Sequence, residues 1–195
     1  MSAYIRLWKV CWTGRIHWKT DFSGLGDLEG ASYEEVQKRV RELAQRNPSQ
    51  AIAAVLALTG KGGPFTYTFH PEDLSKYSPQ RFWNGKKGVC AEYHIFMADV
   101  LSAAGLEAHP VEVFEPGLAH VVMVYRDPKT GLWDVADYSQ RYSTQSSTPE
   151  AAVAAVLPGY YQMVFLDTKG GQSTNRRVLL SPQARTMRDF MRRTR

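Results

Sequence analysis

Residues 84–93 read Asn84-Gly85-Lys86-Lys87-Gly88-Val89-Cys90-Ala91-Glu92-Tyr93, and after them Ile95, Phe96, Ala98, Val100 and Leu101 supply the apolar side of a helix that Gly105 ends. A glycine-containing turn thus delivers Cys90 into the first turn of an amphipathic helix. The N-terminus of a helix carries unpaired N–H groups and about half a positive charge, which stabilise a thiolate. The same N–H groups receive an oxyanion when a thiolate attacks a carbonyl. Lys86 and Lys87 strengthen the effect if they face the sulfur.

Downstream the hydrophobic period changes to that of strands, over Val111–Phe114, His120–Tyr125 and Leu132–Ala136. Asp127-Pro128-Lys129-Thr130-Gly131 is a turn signal joining the last two. With the turn centred near Lys129, His120 lies directly opposite Asp137. A nucleophile needs a base and the base an orienting group, so Cys90, His120 and Asp137 form the candidate constellation. His94, one helical turn after Cys90, reads as a supporting residue and not as the base. Glu92 reads as support for the turn, through Lys86, Lys87 or Arg81. Trp83, Gln80 and Asn84 are upstream candidates for an oxyanion donor, and Asp134 has the parity of a surface residue. His17, His70 and His109 have no partners at metal-ligand spacing.

Upstream, Ser32 and Glu35 make a capping box for a helix bearing Val36, Val40 and Leu43 and stopped by Asn47-Pro48. Ser49 is the expected cap of a second helix, Gln50 to Leu58. The Gly-Lys-Gly-Gly at 60–63 lacks the spacing and the Ser or Thr of a phosphate loop. Residues 65–69 alternate as a strand, and a polar stretch with Pro71 and Pro79 follows. Thr148-Pro149 opens a short helix to Leu157, Tyr161–Leu166 is a further strand, and Ser181-Pro182 opens a basic terminal helix. Helices first and an antiparallel meander afterwards make an α+β fold, expected as one domain over 1–195 with its core at 65–167 and the basic helix at 181–195.

The pattern Gly-x-Cys-x-Glu opening a helix, Leu-x-x-Ala-Gly-x-x-Ala closing it, His-x-Val on a strand and Trp-x-x-x-Asp on the next resembles the transglutaminase-like superfamily over residues 65–138. The resemblance implies a papain-related core in which the helix bearing Cys90 packs on an antiparallel sheet bearing His120 and Asp137. It implies Cys90 as nucleophile, His120 as general base and acid, and Asp137 as orienter. It further implies amide hydrolysis, deamidation or amine transfer through a thioester, with a peptide or protein carboxamide as substrate; nothing in the sequence supplies the calcium sites of the large animal members, so neither metal nor cofactor is expected. Arylamine N-acetyltransferases are also similar, but Lys87-Gly88 and Asp137-Tyr138-Ser139 depart from their motifs. A catalytically inactive scaffold of the same fold is the third possibility.

Composition bounds these readings. The chain has 195 residues, 44% of them hydrophobic, which excludes a disordered chain. Its longest apolar run, Ala51–Leu58, is too short for a membrane span, and Arg6 and Lys9 interrupt any signal-peptide core, so a cytoplasmic location is expected. Two cysteines, Cys11 and Cys90, make no disulfide framework. The net charge of +5 resides in the tail, where residues 176–195 hold seven arginines and one acid, Asp189. Nucleic acid is therefore not an expected partner, whereas an anionic partner at the Arg-rich C-terminus is compatible with that charge. Trp8, Trp12 and Trp18 interleave with basic residues near the N-terminus and read as core packing.

Overall fold

The computed structural model describes residues 24–68, 78–115, 118–166 and 176–181. Trp8, Trp12, Trp18, Cys11, Phe69 and the residues after Ser181, over which a basic helix is expected, lie outside the described residues.

Ser32 caps helix α1 (Tyr33–Arg46) by accepting the Glu35 N–H at 3.2 Å, and Val36, Val40 and Leu43 are buried along its inner side. Asn47, and not Ser49, caps α2 (Pro48–Leu58). Its side-chain oxygen accepts the Gln50 N–H at 3.1 Å, and Pro48 takes the first helical position, where a missing N–H is no loss. The expected strand at 65–69 shortens to β1 (Thr66–Tyr67), which pairs in parallel with β2 (Lys87–Gly88). Between them runs α3 (Pro79–Gly85), in a stretch whose prolines read as irregular. Ser78 caps it, and Phe82 and Trp83 are buried.

Helix α4 (Cys90–Ala103) buries Tyr93, His94, Phe96, Met97, Val100 and Leu101, each large apolar member contributing about 1.5–3 kcal/mol. The Tyr33 hydroxyl ties α1 to it by donating to Asp99. The chain then forms an antiparallel meander of β3 (Ala108–Glu115), β4 (Leu118–Arg126), β5 (Trp133–Asp137) and β6 (Gln140–Ser146). Helix α5 (Pro149–Val156) carries it back, so that β7 (Gln162–Leu166) pairs with β3 and β8 (Arg176–Leu180) pairs with β7. The sheet order is β6-β5-β4-β3-β7-β8, antiparallel throughout.

Both faces of this sheet are covered. Met123, Tyr125 and Ala136 join the buried residues of α1 to α4, while Val122, Val124 and Val135 join Ala152 and Val153 of α5. Residues 121–125 are accordingly apolar without alternation, as a strand buried on two sides must be. The result is the mixed helix and antiparallel-sheet architecture expected from the order of elements. Among the described residues no helix is long and apolar enough to cross a membrane.

The β4–β5 hairpin fixes the position of the acid. Asp127 donates its N–H to the Leu132 carbonyl at 2.8 Å, enclosing a four-residue loop, Pro128–Gly131, with Gly131 at φ 70. Met123 therefore faces Ala136, and Tyr125 faces Asp134. The turn is centred beyond Lys129, and the β4–β5 ladder ends at Met123 and Ala136, before His120 and Asp137. The register expected from the sequence, with His120 opposite Asp137, is thus off by two residues, because Asp127 and Leu132 close a four-residue loop in which Gly131 takes the left-handed conformation.

Candidate active site

The first turn of α4, the beginning of β4 and the end of β5 bring Cys90, His120 and Asp137 together. His120 Nε2 is 3.0 Å from Asp137 Oδ1. That bond leaves Nδ1 as the ring nitrogen available to Cys90, a free cysteine that is half-buried. Burial disfavours the imidazolium, but the hydrogen bonds and charges of Asp137 and Cys90 outweigh it and push His120 up to about 10. Burial likewise disfavours the Asp137 carboxylate, yet the hydrogen bond from His120 and the neighbouring imidazoles hold it below the ordinary carboxylate range.

His94 lies fully buried beneath this group. Its Nδ1 is 2.7 Å from the Cys90 carbonyl oxygen, and its Nε2 accepts the Tyr138 N–H at 2.9 Å. The carbonyl requires a proton on Nδ1, and the amide requires a lone pair on Nε2, so the ring is the neutral Nδ1–H tautomer. Burial brings its pKa down to about 4, in agreement. The approach of Nε2 to Asp137 Oδ1 at 3.5 Å consequently carries no proton and is not an ion pair.

The helix start is held by Glu92, whose Oε2 accepts the Val89 N–H at 2.8 Å. Valine has no side-chain acceptor, so the carboxylate supplies the reciprocal half of a capping box. It passes over Gly88, where a Cβ would lie 2.4 Å from that same oxygen. The glycine and the glutamate of the Gly-x-Cys-x-Glu pattern are thus one device. The amides of Glu92 and Tyr93 both donate to the Val89 carbonyl, at 3.0 and 3.3 Å. Among the described residues nothing accepts from the N–H groups of Cys90 and Ala91. Those two amides belong to the helix turn that carries the sulfur.

Trp83 supports the helix by packing. Its indole N–H donates to the Ala31 carbonyl at 2.8 Å and its ring stacks on Phe96, so it is not an oxyanion donor. Gln80 donates to Glu34 at 3.0 Å, and Asn84 is exposed. Lys86 places Nζ 2.8 Å from the Trp83 ring centroid, where burial lowers it to about 7. Asp134, expected at the surface, is buried and bound by Arg141 at 2.6 Å, with Asp127 on the same guanidinium at 2.5 Å. It belongs to the hairpin and not to the site.

Tyr138 was not legible as part of the site. It follows Asp137 in the left-handed region, at φ 52, and its ring lies 4.9 Å from that of His94 and 6.4 Å from that of His120. Burial and the charge of Cys90 raise its pKa, keeping the hydroxyl protonated. Among the described residues no three His, Cys, Asp or Glu side chains are arranged to hold a metal ion.

No protein-family model and no curated protein sequence matches the chain. Among solved structures it is similar to the periplasmic domain of TgpA from Pseudomonas aeruginosa, with 26% identity and a TM-score of 0.43 over 65% of this chain and 44% of that one. It is also similar to the calcium-bound LapG of Legionella pneumophila, with 17% identity and a TM-score of 0.44 over 82% of this chain and 99% of that one. The chain therefore spans less than half the length of the TgpA domain.

Proposed function

We propose that the protein is a cysteine-dependent enzyme of the transglutaminase-like type, acting on a peptide or protein carboxamide through a thioester on Cys90. The observation that carries this reading is the 3.0 Å bond from His120 Nε2 to Asp137, which leaves Nδ1 to a cysteine at a helix N-terminus. In this reading the thiolate adds to the amide carbonyl, and the oxygen takes up negative charge against the Cys90 and Ala91 amides. His120, charged after accepting the thiol proton, returns it to the departing nitrogen. The neutral ring then takes a proton from water or an amine, which attacks the thioester and frees Cys90. Asp137 holds the ring orientation and its charge throughout.

The test is the rate of Cys90 alkylation by iodoacetamide from pH 4 to 9, followed by mass spectrometry with Cys11 as internal control. Cys90 is expected to keep reacting at pH 6 in the native protein and to lose that reactivity in His120→Ala. Equal behaviour of the two proteins overturns the assignment. Supplying hydroxylamine with a glutaminyl peptide then separates the outcomes, since acyl transfer yields a hydroxamate and hydrolysis yields glutamate.

A further inference from the structure

We propose that His94 is a positioning residue: a proton-fixed neutral imidazole that pins the first turn of α4 to the end of β5 and so sets the distance between nucleophile and acid. The inference rests on the reading of Cys90 and Asp137 as members of one site. Cys90 opens α4, which packs on β3 and β4, while Asp137 is the last residue of β5. His120 meets the side chains of both residues, and His94 bonds the backbone at both ends, at Cys90 and at Tyr138.

At one end, Nδ1–H donates to the carbonyl of Cys90 itself, at 2.7 Å. At the other, Nε2 accepts from the amide of the residue after Asp137, at 2.9 Å. That amide belongs to Tyr138, whose φ of 52 is unfavourable for a residue with a Cβ and persists only where the surroundings hold it. Its aromatic ring also lies against the imidazole, at 4.9 Å between centroids. The titratable groups facing His94 are Asp137, His120, Tyr138 and Cys90.

Adding a proton to Nε2 would turn it against the Tyr138 N–H and offer it to Asp137 Oδ1, 3.5 Å away. The carboxylate would then be shared between two imidazoles, and the backbone at Tyr138 would lose its acceptor. The neutral ring prevents both, so that the carboxylate's bond goes to His120. A glutamine at position 94 retains an acceptor for the Tyr138 amide, whereas a leucine of similar volume retains neither bond.

The experiment combines two readouts on the full chain. Long-range proton–nitrogen correlation spectra of the native protein are expected to show His94 with Nδ1 protonated and Nε2 bare, unchanged between pH 8 and pH 5, beside a charged His120. A protonated Nε2 or a charged His94 ring overturns the proposal, and this measurement needs no variant to fold. Alkylation of Cys90 at pH 6 is then compared among the native protein, His94→Leu, His94→Gln and His120→Ala. His94→Leu is expected to slow it about tenfold, the consequence of roughly 1.4 kcal/mol of lost positioning, and His94→Gln to recover most of the rate. Dependence on His120 without dependence on His94 sinks this proposal alone. Independence of both sinks the reading of Cys90 as an activated thiol, and the tautomer measurement still judges the two bonds.

Discussion

Replacing Gly88 with alanine tests the physical basis of the Gly-x-Cys-x-Glu pattern. The added Cβ would lie 2.4 Å from Glu92 Oε2, 2.9 Å from Glu92 Cδ and 2.8 Å from Phe82 Cε2. Contacts this short must be relieved, and the two neighbours differ in how they respond. The Glu92 carboxylate can swing away, but it then releases the Val89 N–H, a helix-capping bond whose loss costs about 0.5–2 kcal/mol. Phe82 has no such freedom, because its ring is 3% exposed, 4.4 Å from that of Phe65 and 5.1 Å from that of Tyr93. Crowding a packed ring of this kind adds about 1–3 kcal/mol. The expected destabilisation is therefore about 2–4 kcal/mol, measured by urea denaturation followed by tryptophan fluorescence. A thermodynamic cycle with Glu92→Ala sharpens the test, since removing the carboxylate removes one of the two clashes. The double variant should be more stable than additivity predicts by about 1 kcal/mol. A Gly88→Ala protein within about 0.5 kcal/mol of the native one, the ordinary range for an inconsequential surface change, would refute the argument.

Three further predictions follow from the electrostatics. His94 has a folded pKa of about 4, below the ordinary 6.5, so the unfolded chain binds that proton first. The stability contributed by the neutral ring is complete above pH 6.5 and falls by up to about 3 kcal/mol as pH drops toward 4, a slope that His94→Gln should abolish in pH-dependent denaturation. His120 has the opposite sign: its pKa rises from 6.5 to about 10, so its contribution is complete below about 6.5 and is lost as pH climbs to 10. The melting temperature of the native protein should decline across that window more steeply than that of His120→Gln. Arg141→Ala leaves Asp134 and Asp127, whose side chains are 3% and 9% exposed, without their shared cation. It should cost about 3 kcal/mol in denaturant unfolding, and native-like stability would contradict it.

Much of the architecture was legible because local signals and burial agree. Ser32 and Glu35 announce α1, Thr148-Pro149 announces α5, and the apolar run at 121–125 announces a strand with no solvent face. Helix α3 carries a comparable signal in Ser78-Pro79 followed by Phe82 and Trp83, but two prolines in a polar stretch obscure it. Strand β6, Gln140–Ser146, has only polar residues around Tyr142, because it is the exposed edge of the sheet and packing asks little of it. The three candidate site residues could be named from order and spacing, and the bond between His120 and Asp137 is present. The register of their hairpin could not be read, because it depends on whether Gly131 extends the loop. The engagement of His94 at both nitrogens, the left-handed Tyr138 and the pairing of Gly88 with Glu92 are properties of three-dimensional approach. No periodicity encodes them.

The four-residue loop Pro128–Gly131 has a consequence for how such a chain can vary over generations. Its residues touch neither the sulfur nor the imidazole, so most exchanges of side chain there are free to drift, provided position 131 tolerates the left-handed backbone. Its length is a different matter. Loss or gain of a single codon would shift the pairing of β5 by one residue and rotate Asp137 to the opposite face, taking Val135 out of its cluster at the same time. A change of two would restore the facing but slide the acid along the strand. The mutational spectrum at this exposed corner should accordingly be rich in substitutions and almost empty of indels, with the constraint imposed from the far end of the hairpin.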